Sequence, residues 1–227
     1  MNRKNEPWTI EDYKISIGTG KLPKECEIIF YDKDSKRTIE SIIHWQDEEK
    51  KIPSPEITFY MDGSLKSTGM VTEGKVYQGI STEYFPGGEL KTTAAHENGK
   101  NHGKYIAYCL NGNVRIEANY KNGFKDGVCK WYYPNGILHI SEGSKEGVLH
   151  GHSWVYNPDG KIIQRKEYEN GVQVGTEETV WGNGRTEMYY YRSGKMLWLS
   201  ALKVNILRFI HNIFPPQEVA QYHKDGR

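Results

Sequence analysis

The chain of 227 residues carries 30 Lys and Arg against 29 Asp and Glu, a net charge of +1 that provides no field to gather nucleic acid or an anionic membrane. Sixteen Tyr and six Trp are many for so polar a sequence and suit strands better than helices. No apolar run is long enough to cross a bilayer as a helix, and no h-region follows Met1, so neither a spanning helix nor a signal peptide is expected.

Residues 1–55 read as an irregular amino-terminal segment. Gly18, Gly20 and Pro23 interrupt a polar lead-in in which little regular structure is expected before Glu25. Cys26 to Tyr31 then reads as a strand, Asp32 to Ser35 as a turn and Thr38 to Trp45 as the return, a degenerate first hairpin. Gln46 to Pro55, with its charge run and two prolines, reads as a solvated connector loop.

From residue 56 to residue 195 the chain repeats. Gly88, Gly112, Gly136, Gly160 and Gly184 follow one another at 24 residues; Gly99, Gly123, Gly147 and Gly171 form a second series, and Gly103, Gly127, Gly151 and Gly175 a third, all in one phase. A fixed period of this size means stacked supersecondary units. In Tyr133-Pro134-Asn135-Gly136, Pro and Asn suit the central positions of a type I turn and Gly the left-handed residue after it, a three-residue hairpin loop with a bulge. That loop puts Tyr133 opposite Ile137 and Tyr132 opposite Leu138. The same rule pairs Phe59 with Leu65, Tyr84 with Leu90, Tyr108 with Val114 and Tyr156 with Ile162, aromatic against aliphatic each time.

Simple alternation extends this ladder through Ile116, Ala118 and Tyr120, with Ile140 one repeat later. The opposite face is then left with residues that change from repeat to repeat: Glu83 and Phe85, Arg115 and Glu117, Trp131, Tyr133 and His139, and Arg165. A packing face needs sameness, whereas a recognition surface needs variation, so these eight are the candidate partner-binding residues. The predicted fold class is all-β: an elongated single antiparallel meander of 24-residue hairpins over residues 56–195, with the irregular segment 1–55 before it. After it, residues 196–227 are read as a helix and tail, because Leu199, Leu202, Ile206, Phe209 and Ile213 alternate at spacings of three and four and Pro215-Pro216 would end the helix. Capping the open end of the sheet is the role that solenoid architecture implies for that helix.

Catalytic signatures are missing from the sequence: there is no GxSxG elbow, HExxH pair or phosphate loop, and the glycines occupy turns rather than helix starts. No enzyme activity, catalytic residue or cofactor is expected. His139, His150 and His152 read as surface turn residues rather than metal ligands, and the adjacent Glu177 and Glu178 point to opposite sides of a strand, which does not suit paired acid and base work. Cys26, Cys109 and Cys129, an odd number without CxxC spacing, read as reduced thiols of a cytoplasmic protein.

The recurring phrase of strand, Tyr-x-x-x-Gly-x-aliphatic, strand, Asn-Gly-x-x-x-Gly resembles the bacterial variant of MORN repeats found in YwqK-family antitoxins. Matching positions include Tyr84, Gly88 and Leu90; Asn98, Gly99 and Gly103; Tyr108, Gly112 and Val114; Asn122, Gly123 and Gly127; and Tyr156, Gly160 and Ile162. The resemblance covers about residues 56–195. It implies a non-enzymatic antitoxin or immunity protein that neutralises a cognate toxin or effector by direct binding through a sheet face. The sequence does not fix the oligomeric state, a monomer within a heterocomplex being the expectation, and a neutral chain without a basic stripe favours a protein partner over nucleic acid. A membrane-associated scaffold or a substrate-docking module is the alternative that such repeats imply.

Overall fold

A computed structural model describes residues 26–31 and 39–197. These are all-β: strands pair antiparallel, in chain order, as an open meander, with one turn of 3-10 helix at Glu73–Lys75. Two compact units divide after Ile137. The first contains β1 (Cys26–Phe30), β2 (Ile39–His44), β3 (Ser54–Phe59), β4 (Leu65–Thr72), β5 (Val76–Tyr84), β6 (Leu90–Glu97), β7 (Lys100–Tyr108), β8 (Val114–Lys121), the two-residue β9 (Phe124–Lys125) and β10 (Gly127–Tyr132). The second contains β11 (Leu138–Lys145), β12 (Val148–Tyr156), β13 (Ile162–Glu169), β14 (Val172–Val180), β15 (Thr186–Arg192) and β16 (Lys195–Leu197).

The turn chemistry sets the hairpins as the sequence predicts. Phe59 pairs with Leu65, Tyr84 with Leu90, Tyr108 with Val114 and, in the second unit, Tyr156 with Ile162. Tyr133 donates its N–H to the Ile137 carbonyl at 2.8 Å and receives the Gly136 N–H at 2.8 Å, which closes the three-residue loop. The Asn-Gly turns are two-residue loops of the type I′ kind: Asn98 and Gly99 have φ of 51° and 74°, both in the left-handed region such a turn requires.

Beyond each type I loop the ladder departs from simple alternation. After Tyr108↔Val114 the next pair is Ala107↔Ile116, so Arg115 is skipped; Lys66, Lys91 and Ile163 are skipped at the same point of their hairpins. A bulge of one residue sends every later side chain of that strand to the other face. Ile116, Ala118 and Tyr120 therefore share a face with Ala107, Tyr105 and Gly103, opposite Tyr108 and Val114. In the second unit Ile140 pairs with Val155 and lies on that residue's face. The expected continuation of the ladder through Ile116, Ala118, Tyr120 and Ile140 is corrected accordingly. Burial follows the new assignment: Ala107 is 8% and Ala118 1% exposed.

Two boundaries also shift. The predicted loop Gln46–Pro55 ends earlier, because β3 begins at Ser54, whose buried hydroxyl accepts the Gln46 N–H at 3.0 Å. Pro55 is tolerated there since pairing of β3 with β2 extends only to Glu56↔Ile43, and no partner needs its missing N–H. Met196, expected to open a helix, instead pairs with Tyr191 in β16. The rest of the expected helix and tail, the lead-in over residues 1–25 and the Asp32–Ser35 turn lie outside the described residues.

The best-packed part of the first unit is at its start. Ile42, Ile57 and Phe59 form a buried cluster on one face, with Cys26, Ile39 and Leu65 against it. Ile43 and Val71 are buried on the other face.

Candidate functional site

The first unit has a face floored by small side chains. Ala94, Ala107, Ala118 and Cys129 are buried along it, and rings rise between them: Tyr105 meets Tyr120 edge-on at 5.8 Å, and Tyr77 lies 5.4 Å from His96. Ser81 Oγ holds His96 Nε2 at 2.8 Å, and burial pushes that imidazole below its usual pKa, which favours the neutral ring. Trp131 pairs with Ile116 and so belongs to this face; the ammonium of Lys125 sits 4.8 Å from its ring centroid. Glu83 is here too, paired with Thr92 and held at 3.4 Å by Lys91.

The other predicted residues of this unit do not join them. Glu117 pairs with Lys130 on the opposite face, where Lys104 Nζ at 3.0 Å and the Tyr132 hydroxyl at 3.3 Å donate to its carboxylate. The Lys104 contact is the first cause that holds the Glu117 carboxyl below its usual range. Arg115 is the exposed residue skipped at the bulge. Phe85 and Tyr133 open the type I turns, each with its backbone N–H committed to the loop closure.

In the second unit Arg165 pairs with Trp154 and forms an ion pair with Glu178. Trp154 is 37% exposed, and the His152 ring stacks on it at 6.1 Å and 29°. His139 stands one repeat after Arg115, half-buried at the start of β11. The eight predicted residues are therefore divided between two faces, bulges and turns, rather than gathered on one surface. A register count that includes the bulge finds what simple alternation missed, since it places Trp154 beside Arg165.

Sequence reasoning also missed two buried carboxylates. Glu56, 2% exposed, accepts from Lys75 Nζ at 2.9 Å and the Tyr77 hydroxyl at 2.8 Å. Burial first, then this hydrogen bond, raises the Tyr77 hydroxyl far above its usual pKa, so it stays protonated near neutrality and does not serve as a base there. Beside it a cleft of 360 Å³ is lined by Glu27, Ile43, Trp45, Lys50 and Lys75 among others. Glu27 there takes hydrogen bonds from Trp45 Nε1 at 2.9 Å and Lys50 Nζ at 3.1 Å, and the Lys50 ammonium lies 4.7 Å from the Trp45 centroid. These contacts pair charge with charge and leave no aligned nucleophile and base. Glu177 is the second buried carboxylate, in the other unit.

Among the described residues, no three or more His, Cys, Asp or Glu side chains come together in a way that could hold a metal ion. No helix among them is long and apolar enough to cross a membrane. Comparison with curated proteins finds no match. Residues 101–122 and 125–142 match the family model described as the MORN repeat variant. The match falls on β7 with β8 and on the segment from β9 into β11, the most regular part of the glycine series, and it supports a repeat scaffold that binds proteins.

Proposed function

We propose that this chain is a non-enzymatic binding protein that neutralises a toxin or effector in the cytoplasm by covering it with a sheet face. The observation that carries the reading is Trp131: a partly exposed indole with a lysine ammonium over its ring, standing on a floor of buried alanine and cysteine. Aromatic and cationic side chains on a rigid element are what dominates interface energetics, because little conformational freedom is lost when they bind. The antitoxin role rests on the resemblance of the repeat.

Two measurements test it. Co-expression with the product of the neighbouring gene is expected to rescue cells from that product's toxicity; absence of rescue with a folded chain opposes the antitoxin role. Trp131→Ala combined with Arg115→Ala is expected to weaken binding to the same product by about tenfold or more, the scale of truncating an interface anchor. Unchanged affinity would move the binding surface elsewhere on the sheet.

A further inference from the structure

One face of the second unit combines carboxylates with tyrosines. Register places Glu142 beside Ser153, Ser153 beside Lys166, and Glu177 beside Tyr189. In the adjoining row Tyr168 pairs with Gln173 and Tyr191 with Gly175. The β14–β15 hairpin skips no residue: Val180↔Thr186 is followed directly by Thr179↔Glu187, so alternation runs unbroken and delivers Glu187, Tyr189 and Tyr191 to the Glu177 face.

Glu177 is only 8% exposed, and the groups nearest it are neutral donors: Gln164 Nε2 at 3.0 Å and Gln173 Nε2 at 2.9 Å. Its one cationic neighbour on this face among the described residues, Lys166 Nζ, stands off at 3.7 Å. Amide hydrogen bonds satisfy the oxygens but leave the net charge in place, and a buried charge so held attracts an incoming cation strongly. Glu142 accepts from the Ser153 hydroxyl at 3.4 Å. Glu187 accepts from the Tyr189 hydroxyl at 2.7 Å and from Arg185 at 2.8 Å. Among the described residues three carboxylates thus face two cations, and half-buried Tyr168, Tyr189 and Tyr191 supply ring surface beside them.

We propose that this face receives the guanidinium groups of an arginine-rich segment of a partner protein. A guanidinium stacks on a tyrosine ring and offers its fork of N–H donors to a neighbouring carboxylate at the same time, which a lysine ammonium does less well. The inference rests on the protein-binding reading above and gives that partner its chemistry.

The test uses the full chain and three ten-residue peptides, rich in Arg, Lys or Glu, followed by isothermal titration and by NMR of the tyrosine rings. The Arg peptide is expected to bind more tightly than the Lys peptide, to lose affinity with added salt, and to shift the rings of Tyr168, Tyr189 and Tyr191. Glu142→Gln with Tyr168→Leu, which leaves the Gln164 and Gln173 hydrogen bonds to the buried Glu177 carboxylate in place, is expected to lower its affinity about tenfold while the thermal transition holds. Equal binding of the Glu peptide, unshifted rings, unchanged affinity in the double variant, or self-association through this face instead of peptide binding would overturn the proposal. If the double variant still binds the neighbouring gene product at full strength, the arginine face is wrong and the antitoxin reading stands. If rescue fails but the Arg peptide binds as described, the antitoxin reading fails and the arginine face stands.

Discussion

Ala107 shows at the scale of one side chain why the bulge matters. Alternation counted straight through the hairpin leaves Ala107 on the variable, solvent-facing side, whereas the register pairs it with Thr92 and Ile116 and buries it. Ala107→Leu is therefore expected to overpack the floor and cost about 1–3 kcal/mol, read as a lowered denaturant midpoint with an unchanged slope. Leu at exposed Asn119, one residue past Ala118, is expected to stay within about 0.5 kcal/mol of the parent. Equal effects at the two sites would restore the unbulged count. The turn itself was legible, since Pro-Asn-Gly has a backbone reason at each position, and the aromatic–aliphatic pairs of four hairpins follow from it. The skipped residue was not legible. Lys66, Lys91 and Arg115 are cationic but Ile163 at the same point is apolar, and surface cations are too common elsewhere in the chain to announce the position. The candidate site inherited that gap, and Trp131 and Glu117 were placed together although the sheet separates them.

At the scale of the element, the Asn-Gly turn does more than reverse the chain. Its glycine N–H reaches the hairpin before it: Gly99 donates to the Tyr77 carbonyl at 2.9 Å, Gly123 to Asn101 at 2.8 Å and, in the second unit, Gly171 to Leu149 at 2.8 Å. These bonds join consecutive repeats along one edge and give a physical reason for a period that holds to the residue. Gly171 has φ +81°, and a Cβ there would come within 2.8 Å of Val148 Cγ1. Gly171→Ala combines backbone strain with that close contact, and a loss of about 1–3 kcal/mol is expected in thermal or urea unfolding. The reverse case is Ser193, which holds φ of 50° where earlier repeats place Asn98, Asn122 and Asn170. Asn tolerates the left-handed region better than Ser, so Ser193→Asn is expected to stabilise by about 0.5 kcal/mol. A neutral result at both positions would mean that the edge ladder contributes nothing to stability.

Across the whole molecule the titrating groups fall into two sets with opposite pH dependence. Tyr77, Tyr120 and Tyr132 in the first unit and Tyr156, Tyr168, Tyr189 and Tyr191 in the second all have hydroxyls raised above the usual value near 10; burial is the first cause for each except Tyr189, where the Glu187 hydrogen bond leads. Above pH ~10 an unfolded chain releases these protons while the folded chain keeps them. The folded state then binds more protons than the unfolded one, and stability must fall as pH rises through the raised values. On the acid side Glu27 and Glu117 are lowered, chiefly by the side-chain hydrogen bonds of Trp45 and of Lys104. Their contribution is present above the ordinary carboxylate range near 4.3 and is lost as pH falls through the folded values. His96, lowered by burial, joins this acid side below its ordinary value near 6.5, so stability is expected to be flat only from about pH 7 to 10 and to drop at both ends, with seven groups acting together at the alkaline one. Tyrosinate absorbance at 295 nm, followed with far-UV circular dichroism from pH 8 to 13, checks this. The expected record is tyrosine ionisation delayed past 10 and then completed in a step that coincides with loss of strand signal. Ionisation of all sixteen tyrosines near 10, with the strand signal intact, would show that the rings are not held as the sheet places them.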